Sequence, residues 1–141
     1  ACAIAVCGIS NVRSFVRTMP DWWAPIKVRW LRRIGPALED EAFNERISPF
    51  FHTDAVRARL LIFHGANDPR VNIAESDQIV AKMRKTGVDV TYVVCPDEGH
   101  GFQRGPNVLD MMGRMEEFLA KNLGGRAEPW AKIPGSSAQV K

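Results

Sequence analysis

The chain has 141 residues, of which 45% are hydrophobic and 25% charged, with a net charge of +3. That composition fits one globular domain or part of a larger one, and excludes a mainly disordered chain. Nineteen Lys and Arg against sixteen Asp and Glu lack the dense basic stripe of a nucleic-acid binder, and no apolar run approaches the roughly 20 residues that span a bilayer.

Residues 2–7 (CAIAVC) form a short apolar run that predicts a buried strand. A chain that opens inside such a run reads as cut from a longer one, and ACAIAVCGIS lacks the basic start of a signal peptide. Residues 8–23 read as loop with a short helix. Residues 24–34 place Ile26, Trp30 and Ile34 four apart on one helical face, and Gly35-Pro36 ends that helix. A second short helix fits residues 39–46, before Ser48-Pro49 breaks it. The run LLIF at 60–63 predicts a strand buried on both faces. Asn72 followed by Glu75 resembles a capping box, with a helix expected over 73–86 and ended by Gly87. The β-branched VDVTYVV at 88–94 predicts another strand. Val108, Met112, Met115 and Leu119 mark an amphipathic helix over 107–123. From Glu128 onward the composition is tail-like, with disorder expected beyond Pro134.

Strand, helix and strand in this order form a βαβ unit with parallel strands. Its two turn-rich loops, 64–72 and 95–105, leave the C-terminal ends of the strands, where open α/β sheets place their chemistry. Asp68 and His100 lie one in each loop. A carboxylate that accepts from one ring N–H fixes the imidazole tautomer and leaves the other nitrogen to take a proton from a nucleophile. Gly99 and Gly101 flank His100 and allow sharp turns there.

These segments carry a resemblance. HGANDPRV at 64–71 and PDEGHGF at 96–102 are similar to the last two motifs of the α/β-hydrolase fold. More narrowly they resemble the prolyl oligopeptidase family of serine peptidases, with its acylaminoacyl-peptidase and dipeptidyl-peptidase-like members. The resemblance covers residues 1–126, as the C-terminal half of an α/β-hydrolase domain: a mostly parallel sheet flanked by helices, followed by a tail at 127–141. It implies that Asp68 is the triad acid and His100 the triad base. It also implies that Arg70 binds a substrate carbonyl, and that Phe15, Trp22, Trp23, Val71 and Ile73 contribute to the pocket for the substrate side chain.

One departure matters. The family nucleophile sits in a G-x-S-x-G elbow, and the chain has none. Ser10 has Gly8 before it, but Val12 stands where the second glycine belongs. The nucleophile is therefore expected upstream of Ala1, together with the oxyanion-hole donors. On this reading the chain belongs to a serine peptidase but is inert alone. Its expected partners are a peptide substrate and the rest of the catalytic domain with a β-propeller. The missing strands leave an open edge beside residues 2–7, which predicts self-association of the isolated chain. The alternatives are an esterase of the dienelactone-hydrolase type and a non-catalytic binding module of the same fold.

The remaining features read as structural. Cys2, Cys7 and Cys95 lack metal or C-x-x-C spacing and read as reduced thiols of a cytoplasmic protein. No metal or other cofactor is expected. Lys27, Arg29, Arg32 and Arg33 form a solvated face, and His52 and His64 are expected to satisfy local hydrogen bonds. Asp97 and Glu98 read as solvated loop carboxylates, with orientation of the His100 loop as the alternative.

Overall fold

A computed structural model describes all 141 residues. Three parallel strands, β1 (Cys2–Val6), β2 (Arg59–Gly65) and β3 (Val90–Cys95), lie side by side in chain order. Alternation along β2 and β3 divides the core into two layers. Ile62, Tyr92 and Val94 face one way and meet Ile79, Val80 and Met83 of the crossover helix α4 (Ala74–Lys85). Leu61, Phe63, Val93 and Cys95 face the other way, against α5 (Gly105–Leu123). Burial on both faces explains why β2 and β3 read as unbroken apolar runs. Between β1 and β2 the chain forms α1 (Val12–Thr18), α2 (Ala24–Ile34) and α3 (Glu41–Ile47), with 3-10 turns at Asp21–Trp23 and Pro49–Ala55. At the sheet end away from the 64–72 and 95–105 loops, α4 returns to β3 through Gly87.

Four expectations are corrected by packing. The face of α5 that meets the sheet is Val108, Met111, Met115 and Phe118, while Met112 and Leu119 are exposed. The strand over residues 2–7 is not buried, because β1 lies at the edge of the sheet with Ala3 and Val6 exposed. The capping box forms by half. Asn72 Oδ1 accepts from the Ala74 amide, but Glu75 turns to the β1–α1 segment. There its carboxylate accepts from the Ser10 amide and hydroxyl and from the Asn11 amide, at 2.9–3.0 Å, and from the Ser14 hydroxyl.

The fourth correction is the C-terminal tail, which is ordered. Gln139–Val140 form β4, antiparallel to β3, and the Lys141 amide donates to the Tyr92 carbonyl. Asn107, in the first turn of α5, accepts from the Ser137 amide at 2.8 Å, and the Ser137 hydroxyl donates to Asp97. Trp130 lies over Gly113 and the Arg114 guanidinium. Small polar residues look tail-like in composition, yet here they satisfy side chains beside the His100 loop. Deleting residues 135–141 is therefore expected to cost about 1–3 kcal/mol, the worth of two or three hydrogen bonds. It should also speed amide exchange over residues 97–104. Unchanged exchange there would mean that the tail leaves the loop unsupported.

Candidate active site

The 64–72 and 95–105 loops are joined backbone to backbone. The Ala66 amide donates to the Cys95 carbonyl at 3.0 Å and the Asn67 amide to Glu98 at 2.9 Å. The Asn67 side chain adds a bond to the Pro96 carbonyl. Gly65 makes this approach possible: a Cβ there would collide with the Gly99 carbonyl and stand 2.6 Å from that of Glu98.

Asp68 and His100 meet at this junction, with Nδ1 2.8 Å from Oδ2. A carboxylate only accepts, so Nδ1 donates and Nε2 is left with its lone pair. The Asp68 side chain is fully buried and that of His100 is 33% exposed. The Arg70 and Val71 amides donate to the other carboxylate oxygen at 2.8 and 2.9 Å. Burial pushes the Asp68 carboxyl up, but the Val71 and Arg70 amides and the His100 contact outweigh it. The carboxyl therefore lies below its ordinary value of 3.8.

A depressed folded-state value stabilises the fold above the unfolded value, and that contribution is lost as pH falls through the folded one. Acid titration of stability should thus be shallower below about pH 4 for Asp68→Asn than for the native sequence. Superimposable curves would mean that Asp68 gains nothing from its partners.

Glu98 shapes the His100 loop from within. It is 3% exposed, and its carboxylate accepts from the Gln103 and Arg104 amides and from Asn107, each at 2.9 Å. Burial raises its carboxyl, but these donors leave it lowered. It is the orienting group of the loop rather than a solvated carboxylate. His64, wholly buried, donates from Nε2 to the Val71 carbonyl at 3.0 Å and accepts from the Ser76 hydroxyl in its neutral form. It holds the 64–72 loop, as expected of a local structural histidine. His52 likewise contacts the Arg46 carbonyl through Nε2.

The other candidate positions separate. Arg70 is exposed and has no carboxylate partner, so its guanidinium is open to a ligand. Phe15 and Val71 are buried together with Val16 and Met19, and Trp23 packs partly buried against them. Trp22 is 63% exposed and stands edge-on to Trp23. Ile73 packs against the α4 layer. Ser10 is 2% exposed, and its hydroxyl is committed to Glu75.

Cys7 is the residue that spacing did not reveal. It follows β1 with φ of 51° and is 5% exposed. Its sulfur, an Asp68 carboxylate oxygen and a His100 ring nitrogen lie within 4.8 Å of one another. Burial pushes its thiol up. The usable signal is positional: Cys7 follows β1 at the same sheet edge as the two loops.

The family model described as the prolyl oligopeptidase family matches residues 1–126. Dipeptidyl aminopeptidase BIII of Pseudoxanthomonas mexicana is 44% identical over 144 aligned positions, covering 99% of this chain and 21% of that protein. Dipeptidyl peptidase family member 6 of Caenorhabditis elegans is 39% identical, covering 100% of this chain and 20% of the relative. A puromycin-hydrolysing peptidase of Mycobacterium tuberculosis superposes with a TM-score of 0.79 at 26% identity, over 96% of this chain and 20% of the other. An acylaminoacyl peptidase of Pyrococcus horikoshii, at 22% identity and a TM-score of 0.69, shares the fold. The chain spans about a fifth of the length of the curated relatives it matches.

Proposed function

Since the chain belongs to the prolyl oligopeptidase family, we propose that it is the acid–base part of a serine-type peptidase. The observation that carries this reading is the buried Asp68 carboxylate 2.8 Å from Nδ1 of a partly exposed His100. Nε2 takes the proton of a serine hydroxyl as the oxygen attacks a peptide carbonyl. Asp68 holds the tautomer and stabilises the imidazolium. The same proton then goes to the leaving amine, and water hydrolyses the acyl-enzyme by the reverse transfers.

These 141 residues contain no G-x-S-x-G elbow, so the serine and the oxyanion donors come from another part of a longer protein, and this chain alone turns over no peptide. The outer side of β1, which pairs only with β2, receives the next strand of that protein. In the isolated chain the same edge leads to self-association. Residues 127–141 act with the catalytic domain, because they brace the base loop. Arg70 supplies a charged donor to a substrate carbonyl, Trp22 borders the substrate side chain, and Phe15, Trp23 and Val71 support that wall from below. Location in the cytoplasm belongs to the same reading; no helix is long and apolar enough to cross a membrane.

The test uses the full-length protein. A fluorophosphonate probe should label a serine outside these residues, and Arg70→Ala should lower peptide turnover about tenfold more than turnover of a small ester. Label on Ser10, or equal losses on both substrates, would contradict the assignment.

A further inference from the structure

Cys7, Asp68 and His100 present a thiol sulfur, a carboxylate oxygen and an imidazole nitrogen, all within 4.8 Å of one another. They come from three separate places: the end of β1 and the loops after β2 and β3. We propose that these three side chains form a binding site for a zinc-type divalent cation, which reversibly switches the acid–base pair off.

The donor set fits the ion. Zinc takes S, N and O donors tetrahedrally, at about 2.0–2.3 Å, and non-structural sites keep one position open. Donors bound to one such ion stand about 3–4 Å apart, so small side-chain rotations from the present spacing suffice. The surroundings hold the ligands in place. The Arg70 and Val71 amides fix one carboxylate oxygen and leave Oδ2 facing His100 Nδ1. Cys7 lies under the same loop, 3.9 Å from the Gly99 carbonyl. Such outer contacts orient metal ligands. The ion enters from the side of His100, whose side chain is 33% exposed.

The protons balance without a further reactant. The ion binds sulfur, Oδ2 and Nδ1. The thiol proton leaves to water, and the Nδ1 proton is replaced by one on Nε2. The imidazole stays neutral, so one proton is released per ion. With Nε2 protonated and the Asp68 hydrogen bond broken, His100 cannot accept a proton from a nucleophile.

The site stands on geometry alone, and its inhibitory effect rests on the peptidase reading. The test treats the full-length protein with a chelator and titrates it with Cd2+, following the ultraviolet cadmium–thiolate band. Zn2+ is then titrated by calorimetry and in the peptide assay. One equivalent of the band is expected in the native sequence and its loss in Cys7→Ala. Zinc affinity should fall at least about tenfold in His100→Ala, since loss of outer contacts alone costs that much. His100 is partly exposed, so this second variant keeps the result readable if Cys7→Ala unfolds. A band that is absent, or that persists in Cys7→Ala, overturns the site, as does unchanged zinc affinity in His100→Ala. A Cys7-dependent band in a protein that turns over no peptide supports the site and removes the peptidase reading. Turnover without the band does the opposite.

Discussion

Asp68→Asn in the full-length protein is expected to lower peptide turnover about 10⁴-fold while leaving the fold intact. The hydrogen bonds dictate why. One carboxylate oxygen accepts from the Arg70 and Val71 amides, so the single oxygen of Asn takes that position. Its amide group then faces His100 Nδ1, where Oδ2 had stood 2.8 Å away. An NH2 group can only donate, so the ring presents its lone pair at Nδ1 and its proton at Nε2. The base then has the wrong tautomer. His100→Ala removes the base itself and should cost at least as much. A factor of 10⁴ is about 5.5 kcal/mol of transition-state stabilisation, more than the roughly 10²-fold loss that a misplacement of about 1 Å causes. Steady-state kinetics on a chromogenic peptide, with circular dichroism on the same samples, checks both variants. Turnover within tenfold of the native level in Asp68→Asn would remove Asp68 from the catalytic assignment.

Glu75→Ala carries the largest expected stability loss, about 3–5 kcal/mol. Glu75 is 2% exposed, and three donors converge on its Oε2: the Ser10 amide, the Ser10 hydroxyl and the Asn11 amide. The Ser14 hydroxyl takes Oε1. Truncation leaves two backbone N–H groups without an acceptor, that of the buried Ser10 and that of the partly buried Asn11, at about 1–3 kcal/mol each. Glu75→Gln should be milder, at about 1–2 kcal/mol. Its oxygen can stay where three donors meet, and its NH2 can face Ser14, whose hydroxyl rotates to accept. Urea unfolding of the pair reads the difference. Equal, small losses would show that the β1–α1 segment holds itself without Glu75. Because that segment follows directly on Cys7, Glu75→Ala should also weaken cadmium binding.

The contact between Asp68 and His100 is legible because both residues sit in loops that the parallel strands announce. Unbroken β-branched runs gave β2 and β3, and the rule that loops at the C-terminal edge share one rim brought Asp68 and His100 together. Cys7 was not legible, because its place in the site depends on β1 lying next to β2. Nothing in the local sequence states that adjacency. Glu75 departs from its spacing for a related reason. The Asn72–Glu75 spacing is that of a capping box, but donors sixty or more residues distant compete for the carboxylate and win. In α5 the period was right and the phase was not: Met111 and Met112 are indistinguishable by type, and the sheet selects Met111. Composition does not reveal the place of the tail, because it is blind to the acceptors that Asn107 and Asp97 offer it.

The turn at Gly87 gives the molecule a tolerant end. Its φ is +75°, and a Cβ placed there would meet nothing within 4 Å. The length of β3, six residues or about 20 Å, separates it from the rim that carries the dyad. A reporter peptide, an affinity tag or new chain termini introduced beside Gly87 would extend into open space. For engineering, this is the place to make the protein visible or to tether it, at the far end of the sheet from Asp68 and His100.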